Sequence, residues 1–293
     1  MNKEQTLGTA EILFSYVCWG FLTLFWGLLS HVHPVYVLAQ RIFWSMGLLF
    51  VVILATRRFA LLRAAFVTGS VMRICLLSGL LISLNWGLYI YAVSSGHVLD
   101  ASLGYFVQPL LVGLIGIFFF KESLNFWDKG AYLLSFLGLL CMIFYTRAIP
   151  LFTILIASTF AVYGAVKKSL PTDPIVSLFL ETLCVTPLAL PFIIWMELSH
   201  KGSLGILHGS QFLLLPLCGL VTSVPLLVYS SGIKKVPYYL SGILMYLNPT
   251  IQFLIGIFHY RESPSFGEKI SFSLIWLGIL LSVWGKLKLR KQG

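Results

Sequence analysis

Runs of about twenty apolar residues, separated by short polar stretches, dominate the chain. Ten can be laid down: 12–30, 35–55, 74–92, 99–120, 130–146, 149–166, 175–196, 211–232, 239–259 and 270–285. Each has the length a helix needs to cross a hydrocarbon layer about 30 Å thick. Apolar residues fill every side of these runs instead of alternating with polar ones, which predicts helices and not barrel strands. The pattern therefore predicts an all-α integral membrane protein with ten transmembrane helices. The first run ends in Ser30-His31-Val32-His33-Pro34 without a small-x-small cleavage pattern and is expected to remain as a span.

Composition agrees and adds exclusions. Of 293 residues 58% are hydrophobic and 10% charged, against roughly a quarter charged in soluble domains, so a water-soluble enzyme and a disordered chain are both excluded. Only Arg41, Asp100 and Glu181 place a charge inside the ten runs, as expected if a charge at mid-bilayer costs about 3 kcal/mol. With the N-terminus inside, the inner connections and tails hold fifteen Lys and Arg and the outer ones four, Arg147, Lys201, Arg261 and Lys269. This bias predicts both termini on the cytoplasmic side. The net charge of +10 is then a matter of topology and anionic lipid, with no basic run suited to nucleic acid. Cys18, Cys75, Cys141, Cys184 and Cys218 stand singly in separate runs, so neither a disulfide framework nor a metal site is expected. No cofactor motif occurs, and the oligomeric state is left open.

The chain also repeats itself. At an offset of 140, residues 108–140 match 248–280 without a gap, with identities that include Pro109/Pro249, Gly116/Gly256, Glu122/Glu262, Ser123/Ser263 and Lys129/Lys269. Pro34/Pro174, Gly79/Gly219 and Tyr89/Tyr229 fall on the same offset. Two copies of five runs, residues 1–147 and 148–293, must enter the membrane from opposite sides because five is odd. An inverted repeat of this kind suits a secondary transporter working by alternating access. No Gly-x-x-x-x-Gly-Lys-[Ser/Thr] loop is present to drive a pump. Three other readings stay open at this level: a lipid-carrier flippase, a non-transporting membrane scaffold, and an intramembrane enzyme. The last lacks a His-Glu-x-x-His, a Gly-x-Ser-x-Gly or a paired acid.

Residues 85–93 (Asn85-Trp86-Gly87-Leu88-Tyr89-Ile90-Tyr91-Ala92-Val93), 101–110 (Ala101 through Leu110) and Lys121-Glu122-Ser123 carry a family likeness. So do Arg41-Ile42-Phe43-Trp44-Ser45, Phe160 through Gly164, Glu181-Thr182 and Val221 through Leu227. Together they resemble the EamA branch of the drug/metabolite transporter superfamily, and within it the RarD group. The resemblance spans nearly the whole chain. It implies ten spans in two inverted halves, a bacterial inner-membrane location, and a permease group linked by name to chloramphenicol sensitivity. The chain departs from the family pattern at Gln40, where a His commonly precedes the motif Arg.

Polar groups inside lipid are costly and should face a partner or a cavity. Arg41 follows Pro34 by seven residues and Glu181 follows Pro174 by seven. Each should lie about 10 Å into the layer, from opposite faces. They either charge two ends of a substrate path or anchor their helices to neighbours. A second set, Asn85, Trp86, Tyr89, Tyr105 and Gln108 with Tyr229, Tyr246, Asn248 and Gln252, suggests an aromatic cavity with a few amides, closed in by Trp19. Gln108 and Asn248 each precede a proline that can bend its helix at a matching place. His97 and Asp100 are candidates for proton coupling, with a helix cap as the plainer alternative for Asp100. Glu122 and Glu262 are expected to mark helix ends. Gly113, Gly116 and Gly256 are expected to bring the fourth and ninth spans close. The expected partners are a small-molecule substrate and membrane lipid.

Overall fold

The computed structural model describes residues 3–94, 98–146, 151–261 and 263–292, with side chains described for 3–92, 104–145, 151–261 and 263–288. The described residues are helical with no strand. The helices are α1 (Lys3–Gly27), α2 (Pro34–Ala55), α3 (Phe59–Val67), α4 (Gly69–Ser94), α5 (Val98–Phe118), α6 (Phe126–Thr146), α7 (Leu151–Ser169), α8 (Pro174–Leu198), α9 (Leu214–Gly232), α10 (Tyr238–Met245), α11 (Leu247–Phe258) and α12 (Phe266–Gln292). Among the described residues nine stretches are long and apolar enough to cross a membrane, the ninth-run helices α10 and α11 counting as one; the apolar part of α5, Gly104–Phe118, is shorter. Large side chains such as Phe118, Phe144, Leu188 and Leu280 stand outward, as they do where lipid is the solvent.

Two elements depart from the expected layout. Residues assigned to the connection after the second run form the nine-residue helix α3, too short to span. The ninth run is broken at Tyr246, whereas α5 runs unbroken through Pro109. Pro249 has no N–H, so the carbonyl of Met245, four residues earlier, loses its helical partner and the turn opens there.

Helix starts recur at the offset of 140: Pro34 and Pro174, Val98 and Tyr238, Phe126 and Phe266. Both prolines sit at the first helical position, where a missing N–H costs nothing and the ring pre-sets φ. Lys121 and Arg261, also 140 apart, share a positive φ of 54° and 56° just beyond the ends of α5 and α11. Counterparts pack on one another: α2 against α8, α5 against α10, α6 against α12. Tyr246 donates to the carbonyl of Phe106, its counterpart, at 3.2 Å.

Close approach is visible at Gly79 and Gly219. A Cβ on Gly79 would lie 2.6 Å from the Glu181 carbonyl oxygen, and one on Gly219 would lie 2.8 Å from the Ser45 nitrogen. These glycines let α4 reach α8 and α9 reach α2. Gly116 likewise abuts the backbone at Tyr239, but Gly113 faces the ring of Tyr132 on α6 instead.

Candidate functional site

A cavity of about 160 Å³ lies between the two copies. From the first come Tyr16, Trp19, Thr23 and Trp26 on α1, Arg41 on α2, Asn85, Trp86 and Tyr89 on α4, and Tyr105 and Gln108 on α5; from the second come Phe160 on α7, Thr222 on α9, Met245 at the end of α10, and Asn248 and Gln252 on α11. Eight of the eleven substrate-binding candidates therefore meet around one space. Glu181, Tyr229 and Tyr246 do not line it. Tyr229 is fully buried behind Tyr16 and Trp19, with ring centroids 6.1 and 5.5 Å away, and Tyr246 points to Phe106. His97 and the side chain of Asp100 lie outside the described residues, as does Glu262.

Arg41 dominates the site electrostatically. Two helical turns after the entry proline, its guanidinium sits between two indoles, 4.5 Å from the centroid of Trp26 and 4.2 Å from that of Trp86. Its Nε donates to Thr222 Oγ1 at 3.1 Å. Among the described residues no carboxylate pairs with it. Stacking fixes the plane of the fork while leaving its edge free to donate.

The amides are arranged differently in the two copies. Asn85 donates to the Ile156 carbonyl at 2.7 Å and to Thr159 at 3.0 Å, tying α4 to α7. Gln252 donates to Asn248 Oδ1 at 2.7 Å, one turn away on α11. Both amides of that pair face the cavity beside the opened turn at Met245.

The cavity has a sealed floor and an adjoining vestibule. The vestibule, about 400 Å³, shares Thr23, Trp26, Arg41, Trp86 and Tyr89 with the cavity and continues past Leu29, Ser30, Val32 and Pro34 at the α1–α2 connection. The floor is aromatic: Trp19, Phe160 and Tyr229 are mutually packed at 5.5–5.9 Å, and Tyr16 bonds Ser241 at 2.8 Å. Beneath it Lys167 and Glu181 form an ion pair at 2.6 Å, each 1% exposed, with Ser177 and Tyr163 completing the network. The apolar pattern places Lys167 in a connection, one residue beyond the run 149–166. Glu181 draws it in, because a buried carboxylate needs a partner and α7 extends to Ser169 to supply one.

This basic end is stitched across the two copies. Lys235 pairs with Glu11 at 2.6 Å, Arg58 with Asp173, and Lys168 lies 3.9 Å from Glu122. Glu122 does more than end a helix: its two oxygens accept the N–H groups of Tyr238 and Tyr239 at 2.7 and 2.9 Å, capping α10 from a distant part of the chain. The opposite end has its own cluster, in which Gln40 donates to Tyr36 at 2.6 Å and Tyr36 bonds Glu197 and Ser203. Gln40 thus serves a structural network.

The comparisons with known proteins agree with this architecture. The model of the EamA-like transporter family matches twice, over residues 6–144 and 148–284. The chain is 36% identical to an uncharacterized transporter, YojE, of Bacillus subtilis, covering 99% of this chain and 98% of the relative. It is 32% identical to protein RarD of Streptomyces exfoliatus (99% and 92% covered) and 29% to protein RarD of Escherichia coli (97% and 96% covered). A solved crystal structure, 20% identical, superposes with a TM-score of 0.73 over 95% of this chain and 97% of its own and shows the same fold. The chain is a multi-pass membrane protein and belongs to the EamA-like transporter family.

Proposed function

We propose that the protein is a secondary transporter of small organic solutes that works by alternating access. In this reading ten spans form two inverted halves, residues 1–147 and 148–293, in a bacterial inner membrane with both termini cytoplasmic. The observation that carries it is the cavity between the copies, continuous with a vestibule at one end and shut at the other by the aromatic floor and the ion-paired seam. Such asymmetry is what one of two alternate states requires: the floor and seam open when the vestibule closes. The positive charge of the sealed end supports reading it as cytoplasmic, and in that reading the state is outward-facing. The vestibule's apolar wall, Leu29, Val32, Val37 and Leu38, favours a second reading, a lipid-carrier flippase that admits its cargo sideways.

Single cysteines in a background freed of the native five test the proposal. Lys121→Cys and Arg261→Cys should label from opposite sides of sealed vesicles; labelling from one side overturns the inverted halves. Ser241→Cys, fully buried at the floor, should label slowly from the cytoplasmic side. Oxidising a Glu11→Cys/Lys235→Cys pair should abolish that labelling while leaving Thr23→Cys reactive from outside. Unchanged labelling at Ser241→Cys in the locked protein defeats alternating access. Uptake of single-ring solutes that survives closure of the vestibule to lipid separates the solute carrier from the flippase.

A further inference from the structure

We infer that the cavity takes a small organic monoanion, a single carboxylate on a flat apolar body about one ring in size. The inference deepens the carrier reading and rests on it. Among the described residues, Arg41 is a cation held between two indoles with only its Nε hydrogen-bonded, to Thr222, and with no carboxylate at its terminal nitrogens. A charge kept in such a place without a counter-ion is costly, and a bound carboxylate relieves that cost through two parallel N–H···O bonds, which the fork geometry favours. The other buried charge of the repeat, Glu181, is already neutralised by Lys167 and is not free to supply the counter-ion.

Selectivity follows from what the wall lacks. Among the described lining residues there is no acid, so an ammonium group would find neutral amide, phenol and hydroxyl oxygens but no carboxylate, and would sit against the guanidinium. Amines and zwitterionic amino acids are therefore disfavoured relative to acids. Trp19, Trp86 and Phe160 provide flat apolar faces, and about 160 Å³ matches a cavity of roughly 150 Å³ known to hold benzene. Gln108, Asn248 and Gln252 line the same cavity and supply amide groups to a polar edge of the ligand.

Thermal unfolding of the purified chain with benzoate, benzamide, benzylamine and phenylalanine tests this, since a ligand of the folded state raises Tm by mass action. Benzoate should stabilise saturably and bind at least about tenfold more tightly than neutral, isosteric benzamide, with benzylamine and phenylalanine weaker still. Arg41→Gln should remove the benzoate shift and Arg41→Lys should keep part of it. No benzoate shift, a shift as large with benzamide or either amine, or a benzoate shift that survives Arg41→Gln overturns the anion assignment. The wild-type comparison of benzoate with benzamide decides the matter even if Arg41→Gln does not fold. Failure here with the Ser241→Cys response intact rejects the anion and leaves the carrier; loss of that response rejects the carrier itself.

Discussion

Arg41 and Glu181 stand at equivalent places, each seven residues past the proline that opens its helix, yet the protein treats them in opposite ways. Glu181 is 1% exposed and closed off by Lys167, with Tyr163 beside it. Arg41 is half-buried against a cavity, held by two indole faces and one hydroxyl, with no acid beside it among the described residues. The repeat supplies one position twice, buried at Glu181 and half-buried at Arg41. One copy holds a self-neutralising pair below the floor, and the other a cation above it that meets no carboxylate among the described residues. A charge neutralised by the protein itself serves packing; one left over points to something from outside.

The strongest way to break this contrast is to strip Glu181 of its charge. Glu181→Gln leaves Lys167 as an uncompensated buried ammonium and should cost about 3–5 kcal/mol, read as a large fall in melting temperature. The double change Lys167→Met/Glu181→Leu should recover most of the loss, because well-packed apolar groups replace a buried pair at little net cost. Arg41→Met should change stability by less than about 1 kcal/mol, the lost ring contacts being offset by removal of an unpaired charge. Equal losses at Glu181 and Arg41 would erase the distinction.

Next in size is Glu122, a carboxylate answered at closest range by backbone N–H groups, with the Lys168 ammonium farther off at 3.9 Å. Glu122→Ala frees two N–H groups at the start of α10 and should cost about 1–2 kcal/mol. Since α10 carries Ser241 and Met245, the same change should speed cytoplasmic labelling of Ser241→Cys. A fall in melting temperature with no change in that rate would separate the cap from the floor.

How far the sequence carried these assignments depended on whether a residue's role is local. Apolar runs anticipated nine stretches long enough to cross a membrane among the described residues, and the offset of 140 anticipated helix starts that recur and a family model that matches twice, because lipid imposes length and a repeat preserves spacing. Entry prolines placed Arg41 and Glu181 two turns into their helices. Lys167 was misplaced because the cost of a lone charge argues for water, and only the fold reveals that Glu181 is within reach. Asp128 was missed in the same way: it is fully buried in the first turn of α6, capped locally by Asn125 and bonded to Ser282 on α12. Pro109 and Pro249 have the same sequence signature, but only the second breaks its helix. Tyrosines were the least legible, since a ring with one hydroxyl fits a cavity wall as well as a core, and Tyr229 and Tyr246 went to the core.

The contrast can also be sharpened by giving Arg41 what Glu181 already has. Thr222→Asp places a carboxylate where the Nε of Arg41 now meets a hydroxyl, and should leave stability within about 1 kcal/mol of the parent or raise it. The internal acid should compete with benzoate and weaken its binding by about tenfold or more. Stronger benzoate binding in this variant would mean that Arg41 is not the anion's partner.

The smallest effect is expected where the same chemistry meets water. Arg58 and Asp173 form an ion pair between the copies, but their side chains are 33% and 18% exposed, unlike the 1% of Lys167 and Glu181. Solvent screening should hold the coupling energy of Arg58→Ala and Asp173→Ala, measured by a double-mutant cycle, below about 1 kcal/mol. Adding salt to 1 M should reduce it further, because the screening length falls to about 3 Å. Asp173→Ala should still cost more than Arg58→Ala, since Asp173 also accepts the N–H groups of Ile175 and Val176 and caps α8. A coupling that is large and indifferent to salt would put this pair in the same class as Lys167 and Glu181, so that the basic end is held shut by electrostatics throughout and not chiefly at its buried centre.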